Sequence, residues 1–220
     1  MSKINKLEKF AQNKVSKNVI EPGKEWYYRI KGRWHEFFGN DHPLVVELAC
    51  GWGEYTLALA ERFPEKNFIG VDIKGDRVWR GSQQAMSRGL SNVAFLRTHI
   101  IEILNLFDQD ELDEIWLTFP DPQPKDRNEK HRLSNKQFLE KYQVILKPEG
   151  WFRFKTDNTD LFEYTLETLK EVPIRDHEYT FDLYHSDLLS EHYDIQTKYE
   201  QIWTSKGETI KYMKWKFAGK

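Results

Sequence analysis

From residue 44 onward, apolar strand-like runs alternate with amphipathic helical patterns, and this alternation constrains the fold more than any other feature of the chain. LVVELAC, residues 44–50, is typical of a buried strand, and EYTLALAERF, residues 54–63, is typical of a helix. The further strand-like runs are NFIGVDI (67–73), NVAFLR (92–97), DEIWLTF (113–119) and WFRFKT (151–156). Strands that alternate with helices in this way form a parallel sheet covered on both faces.

The alternation continues to about residue 174 and then changes. Residues 134–147, SNKQFLEKYQVILK, indicate a helix that begins at a Ser134 cap and ends before Pro148. After about residue 174 the pattern becomes strand-rich, and GETIKYMKWKF (207–217) alternates as an antiparallel edge strand does. We therefore predict an α/β fold, doubly wound, with a mostly parallel seven-stranded sheet and an antiparallel C-terminal edge strand, in which residues 41–220 form a single domain.

Residues 1–40 are predicted to be a basic N-terminal arm, partly flexible. Residues 1–35 hold seven Lys and two Arg against three Glu, a local charge of +6, whereas the whole chain carries −2. A basic arm on an acidic body is one way to bind RNA, and charged termini are also often simply solvated.

Composition excludes several other classes of protein. Charged residues make up 31% of the chain, and no apolar run approaches the roughly 18 residues that span a bilayer, so a membrane protein is not expected. The charged N-terminal sequence also lacks the apolar core of a signal peptide. Cys50 is the only cysteine, which rules out an intramolecular disulfide and a Cys-rich zinc site, and the seven His are scattered, so no metal site is indicated. A reducing, cytoplasmic location is expected.

The turn after the first strand, VELACGWGEYT, has the composition of a cofactor site. In open parallel sheets, ligands bind outside the carboxyl ends of the strands. Gly51 and Gly53 let the chain turn tightly and a ligand approach closely. Glu47 and Glu54 would repel the pyrophosphate of a dinucleotide, whereas they suit the cationic groups of S-adenosylmethionine. Asp72, at the end of the second strand, can accept hydrogen bonds from both ribose hydroxyls.

Each of these residues also has an ordinary structural interpretation. The two glycines fit any strand-to-helix turn, Glu47 can pair with a buried arginine, and Asp72 can cap the following helix. Taken together, Glu47, Gly51, Gly53 and Asp72 are typical of the S-adenosylmethionine site of class I methyltransferases.

The stretch FPDPQPKDRNEKHRL, which begins at Phe119, is unusual because three prolines alternate with Asp121 and Gln123, and cations follow at once. It resembles the signature loop of the bacterial tRNA (guanine-N7)-methyltransferases, typically FPDPWPKKRHNKRRL. The resemblance continues through FKTDN (154–158), LFEYTL (161–166) and TKYE (197–200). It therefore covers roughly residues 40–217.

The resemblance implies a Rossmann-like class I enzyme that transfers a methyl group from S-adenosylmethionine to N7 of guanine 46, in the variable loop of tRNA. It places cofactor contacts on Glu47, Asp72 and Asp121, with the glycine turn beside them. His99 stands near the expected adenine site, where the family usually has an acid, and His99 can equally be a surface residue. The implied partner is tRNA, with no obligatory protein partner and no membrane, and the protein can be a monomer or a homodimer.

On the substrate side, the resemblance implies nucleotide contacts for Lys125, Asp157 and residues 197–200. The last group consists of Thr197, Lys198, Tyr199 and Glu200. The residues implied to contact the RNA are Arg127, Asn128, Glu129, Lys130, His131 and Arg132. Gln123 stands where the family usually has Trp, which predicts less stacking. Asp126 stands where the family usually has Lys, which predicts less local positive charge.

Methyl transfer to guanine N7 needs no general base, because N7 already carries a lone pair. The hypothesis for catalysis is that Asp121 accepts hydrogen bonds from the guanine or bridges guanine and cofactor, with Asp157 as a second acid. The flanking prolines would fix the backbone of Asp121, although Asp beside Pro is also common in plain turns. The alternative interpretations are a class I methyltransferase that acts on a small molecule or a protein, and a non-catalytic RNA-binding module.

Overall fold

The computed structural model describes residues 4–219, which form one eight-stranded sheet with helices packed around it. The strands are β1 (Val19–Ile20), β2 (Leu44–Leu48), β3 (Asn67–Asp72), β4 (Val93–Arg97), β5 (Leu112–Thr118), β6 (Leu146–Thr156), β7 (Ile174–Thr180) and β8 (Lys211–Phe217). Their order across the sheet is β1-β4-β3-β2-β5-β6-β8-β7. The pairs from β1 to β6 are parallel, and β8 is antiparallel to both β6 and β7.

From β2 onward most strands are followed by a helix, as the sequence pattern indicates. They are α1 (Lys6–Val15), α2 (Glu25–Arg29), α3 (Trp34–Phe38), α4 (Glu54–Arg62), α5 (Gly75–Ser87), α6 (Lys136–Ile145), α7 (Thr159–Leu169) and α8 (Lys198–Thr204). Short 3-10 turns span Ile100–Asn105, Asp126–His131, Leu183–His185 and Asp187–His192. Among the helices of residues 4–219, none combines the length and the apolar character that crossing a membrane requires.

The core lies on both faces of the sheet. On β2, Val46 and Leu48 belong to one buried apolar cluster, and Val45 belongs to another. Successive residues of a strand point to opposite faces, so a strand covered on both sides is apolar throughout. The predicted doubly wound α/β fold class is confirmed.

Two details of the predicted sheet are wrong. The sheet has an eighth strand, the short β1, which pairs with β4. In addition, β8 lies between β6 and β7 and is not an edge strand. Its alternation of polar and apolar residues indicated an edge strand, yet Lys214 reaches Glu191 at 2.8 Å and Lys216 reaches Glu149 at 2.9 Å. Long lysine stems can lie along a covered strand while their ammonium groups meet carboxylates.

The helix after the proline-rich loop begins one residue later than the sequence indicates. Asn135, and not Ser134, is the N-cap of α6, because its side chain accepts a hydrogen bond from Gln137 N. The Ser134 hydroxyl is buried and bonds instead to Thr165 on α7. Asn and Ser are about equally good caps, so neighbouring candidates are separated only by packing.

The described part of the N-terminal segment is packed on the body of the protein. Asn13 of α1 is buried and donates to the carbonyl of Gly75, the first residue of α5, at 2.8 Å. The Lys24 ammonium donates to the carbonyl oxygens of Asn13, Ser16 and Val19. Burial lowers the pKa of Lys24, and the three carbonyls satisfy its three N–H donors.

Candidate functional site

A cavity of about 270 Å³ opens at the carboxyl ends of β2 and β5, where the topology of the sheet predicts a ligand site. It is lined by Glu47, Ala49, Cys50, Gly51, Trp52, Glu54, Tyr55, Arg77, Thr118, Phe119, Thr197, Lys198 and Tyr199. The turn after β2, the end of β5 and the start of α8 therefore form its walls.

The glycine turn has the conformation that only glycine adopts without strain. Gly51 and Gly53 have φ values of 58° and 69°. A Cβ on Gly53 would also lie 2.5 Å from the ring of Phe95, so the close approach of α4 to the sheet needs a glycine there. Gly53 N donates to Cys50 O at 2.8 Å, which closes the turn.

Ala49 precedes this turn in a left-handed conformation, with φ of 56°. The expectation that alanine is a mild replacement for glycine depended on strand-like backbone here, and the backbone is not strand-like. An L-residue in this region stores on the order of 1–3 kcal/mol of strain. Phe119, on the opposite wall, has φ of 48°, so both sides of the cavity contain strained backbone.

Glu47 is the buried acid at the base of the cavity. Thr118 Oγ1 donates to Glu47 Oε1 at 2.5 Å, Thr56 N donates to Oε2 at 2.8 Å, and the Thr56 hydroxyl also bonds to Oε2. Glu47 forms no ion pair with an arginine among the described residues, and the buried Arg153 pairs instead with Glu114 and Glu191. Burial raises the pKa of Glu47 to about 7, against the opposing effect of the threonine hydrogen bonds.

The two threonines were missed by the sequence analysis, although a signal was present. Thr56 stands where a dinucleotide fingerprint has its third glycine, and Thr118 is the last residue of β5. Both positions face the ligand end of the sheet, so a hydroxyl there can orient an acid on the neighbouring strand.

Asp72 ends β3 and braces the glycine turn. It accepts hydrogen bonds from Gly51 N at 3.0 Å and from Lys74 N at 2.7 Å, and Arg77 lies 3.7 Å away. Lys74 is the N-cap residue of α5, so Asp72 also supports the start of that helix. Asp72 does not line the cavity, but it is bonded to Gly51, which does. His99 is exposed, outside the cavity lining, and begins the 3-10 turn after β4.

Asp121 is exposed in the proline-rich loop that follows β5. Its Oδ1 accepts a hydrogen bond from Gln123 N at 3.1 Å, and Gln123 has φ of 46°. Arg132 Nε in turn donates to Gln123 O at 3.3 Å. Asp121 thus has a turn-forming role in the loop, while its second carboxylate oxygen stays available to a ligand.

The residues in the basic half of the proline-rich loop, 125–132, fall into two groups. Lys125, Arg127 and Lys130 are exposed and form no ion pair with another described residue, and Asn128 and His131 belong to the same 3-10 turn. Arg132 lies 4.3 Å above the ring of Tyr164, whose hydroxyl donates to Glu129 at 3.0 Å. Arg132 and Glu129 therefore hold the loop against α7.

The third wall of the cavity is the start of α8. Thr197 caps this helix by accepting from Glu200 N at 3.1 Å, and Lys198 N donates to Glu54 at 2.8 Å. The Tyr199 hydroxyl lies 3.3 Å from an Asp157 oxygen. Burial raises the pKa of Asp157, so this acid is a weaker one than an exposed aspartate.

Glu200 lies behind the cavity wall. Its side chain and that of Lys155 are both 0% exposed, and the two charges lie 2.7 Å apart. The Tyr184 hydroxyl also donates to Glu200 at 2.6 Å. Lys155 O accepts from Phe119 N at 2.8 Å, so this one residue of β6 contacts both the proline-rich loop and α8.

The cavity lining thus brings together Glu47, Gly51, Thr197, Lys198 and Tyr199 from the predicted site. Asp72 and Asp157 adjoin the lining through hydrogen bonds. The lining does not include Gly53, His99, Asp121, Lys125 or Glu200.

Sequence comparisons find close relatives of the whole chain. Residues 41–213 match a family model described as a putative methyltransferase. The chain is 45% identical to the tRNA (guanine-N(7)-)-methyltransferase of Cytophaga hutchinsonii, over 96% of this chain and 97% of that protein. It is 44% identical to the protein of the same name from Christiangramia forsetii, over 98% and 99% of the two chains.

Solved structures with the same fold include methyltransferases. An antibiotic-related methyltransferase superposes with a TM-score of 0.62 at 19% identity, over 85% of this chain and 94% of that one. The 16S rRNA methyltransferase KamB superposes with a TM-score of 0.60 at 12% identity, over 99% and 96%. At these identities the likeness establishes the fold.

Proposed function

The chain belongs to the tRNA (guanine-N7)-methyltransferase family and is an S-adenosylmethionine-dependent methyltransferase, and on this basis we propose that it methylates N7 of guanine 46 in the variable loop of tRNA, in the cytoplasm. The observation that carries the proposal is the cavity at the ends of β2 and β5, which has buried Glu47 at its base. The proline-rich loop and α8 stand at its rim.

The residues of the cavity fit S-adenosylmethionine. Glu47 is a buried acid with a pKa of about 7, so a cation beside it would favour the ionised carboxylate. The glycine turn leaves room for close approach, and Asp72, which is bonded to Gly51 N, would accept from the ribose hydroxyls through its remaining lone pairs. When bound, the cofactor supplies an electrophilic methyl group on a sulfonium.

The substrate side contributes positioning and negative charge. Asp121 is held by the backbone of Gln123 and is flanked by Pro120 and Pro122, so its free oxygen is fixed at the end of β5. There it would accept from guanine N1–H or the exocyclic amine, and so stabilise the positive charge that develops on the purine. Tyr199, which is 46% exposed, offers a ring on which the guanine can stack.

The test is to incubate unmodified tRNA with labelled cofactor and then cleave the RNA chemically at N7-methylguanine. We expect cleavage at guanine 46, and no label in a transcript that has adenine at this position. A labelled product that resists cleavage would contradict N7 as the target. Methyl transfer to tRNA that is insensitive to salt would contradict a polyanionic substrate bound through phosphates.

The role of Asp121 is tested by Asp121→Asn, with Asp126→Asn as the matched control in the same exposed loop. Loss of one charge-assisted hydrogen bond predicts a fall in kcat of about 10- to 100-fold for the first variant. The control should keep kcat within about twofold, since Asp126 begins the 3-10 turn of the loop and has no proposed contact with the guanine. Equal activity in the two variants would refute the role given to Asp121.

A further inference from the structure

Helices α1 and α5 pack against each other and carry a concentration of positive charge, of which only Arg77 lines the proposed cofactor cavity. Together they hold the cations Lys6, Lys9, Lys14, Arg77 and Arg80 against the acids Glu8 and Asp76. This gives a local charge of +3 on a chain whose net charge is −2. The part of this pair that surrounds a shallow depression is called here the α1–α5 face, and it consists of the half-buried Lys9, Trp79, Arg80, Gln83 and Gln84 with the exposed Ser87.

Cations and aromatic rings alternate on the α1–α5 face. The Lys9 ammonium lies 4.9 Å from the Trp79 ring, and the Arg80 guanidinium lies 4.0 Å from the Trp52 ring. The Trp79 indole N–H donates to Gln12 at 2.6 Å, which fixes the ring between the two helices. The residues surround a shallow depression of about 560 Å³.

The α1–α5 face adjoins the proposed cofactor cavity. Trp52, on which Arg80 stacks, is 43% exposed and also lines the cavity. In the sheet, β2 lies between β3 and β5; α5 follows β3, and the proline-rich loop follows β5. The α1–α5 face and the basic loop therefore lie on opposite sides of the cavity, with β2 between them.

We propose that the α1–α5 face is a second docking surface for the RNA substrate, which contacts nucleotides away from the target guanine. The inference rests on the proposed function. Lysine and arginine pair with phosphates, the indole of Trp79 stacks on an unpaired base, and the glutamine amides bond to base edges or 2′-hydroxyls. A tRNA is large enough to span both sides of the cavity, whereas a small substrate is not.

The test compares Lys9→Gln with Lys14→Gln in tRNA binding. Both residues are lysines of α1, but Lys14 lies five positions later, which is about 140° around the helix and away from Trp79. Loss of one phosphate contact predicts an affinity about four- to sixfold lower at 0.15 M salt, and a salt slope smaller by about 1, for Lys9→Gln alone. Affinity for S-adenosylmethionine should be unchanged in both variants.

A second variant tests the aromatic part of the α1–α5 face. Trp79→Leu should weaken tRNA binding about fivefold or more, because a stacked base is lost, while the salt slope stays as in the wild type. Affinities of both Lys variants equal to the wild type would overturn the inference, as would an equal loss in the two. A wild-type protein that transfers no methyl group to tRNA would instead refute the proposed function, whatever the variants do.

Discussion

Replacing Lys155 by methionine tests how the walls of the cavity are held together. The Lys155 ammonium lies 2.7 Å from Glu200 Oε1, and neither side chain has any exposed surface. The backbone carbonyl of Lys155 also accepts from Phe119 N at the start of the proline-rich loop. Lys155 is thus the residue through which β6 contacts the proline-rich loop and the first turn of α8.

The size of the expected loss of stability follows from the burial of the Lys155–Glu200 ion pair. Removing one partner leaves an uncompensated charge in the interior, which costs about 3–5 kcal/mol of the free energy of unfolding. After Lys155→Met, the Tyr184 hydroxyl is the one side-chain donor still within hydrogen-bond distance of the Glu200 carboxylate among the described residues. Burial lowers the pKa of Lys155, which shows that desolvation already opposes its charge. The double variant Lys155→Met/Glu200→Leu should therefore recover most of the loss, because no charge is left buried.

The assay is urea unfolding of the cofactor-free protein, followed by circular dichroism, for the two single variants and the double variant. The control is Lys136→Met, which removes a solvent-exposed ion pair with Glu171 at 3.2 Å and should cost less than about 1 kcal/mol. A Lys155→Met variant no less stable than this control would refute the reasoning. So would a double variant as unstable as the sum of the two single variants, because the two residues would then act independently.

Four further predictions concern the turn after β2, helix α5 and Glu47. Ala49→Gly should raise the free energy of unfolding by about 0.5–1 kcal/mol in a thermal melt, because relief of the left-handed strain exceeds the added chain entropy. Gly81→Ala should lower it by about 1–3 kcal/mol in the same assay, because the added Cβ would collide with the Phe95 ring. Affinity for S-adenosylmethionine, measured by calorimetry, should fall as pH drops through about 7, because protonated Glu47 cannot pair with a cation. The contribution of Glu47 to the stability of the cofactor-free protein has the opposite sign: it is full below pH 4.5 and lost as pH rises through about 7, and Glu47→Gln should abolish this dependence.

The fold could be predicted because the sequence pattern that specifies it is local. The runs that became β2 to β5 are mostly apolar and buried on both faces, and most of them are separated by helical patterns, as a parallel sheet covered on both sides requires. The same rule located the cavity, because ligands bind at the carboxyl ends of such strands. The placement of Glu47 and Gly51 in the lining follows from this topology alone.

The remaining features depend on contacts between distant segments. A lysine in a strand suggests exposure, yet Lys155 is buried because Glu200 meets it from α8, and Lys214 of β8 is covered because Glu191 meets it. The left-handed backbone of Ala49 is imposed by the turn that follows, and nothing in the alanine itself predicts it. Pairings and conformations of this kind are fixed by the packed structure and are not encoded in local residue type.

Gln123 and Asp126 are the two unusual residues of the proline-rich loop, and the structure shows which properties of the loop each of them changes. Gln123 serves the loop through its backbone, because its N–H bonds to Asp121 and its carbonyl bonds to Arg132. Glutamine in place of the usual tryptophan therefore leaves the position of Asp121 intact and removes only a ring from the surface. Asp126 opens the 3-10 turn, where an acid is favourable, but it lowers the charge beside Lys125. We therefore expect both changes to act on RNA affinity rather than on methyl transfer, and a second basic surface on α1 and α5 would offset them.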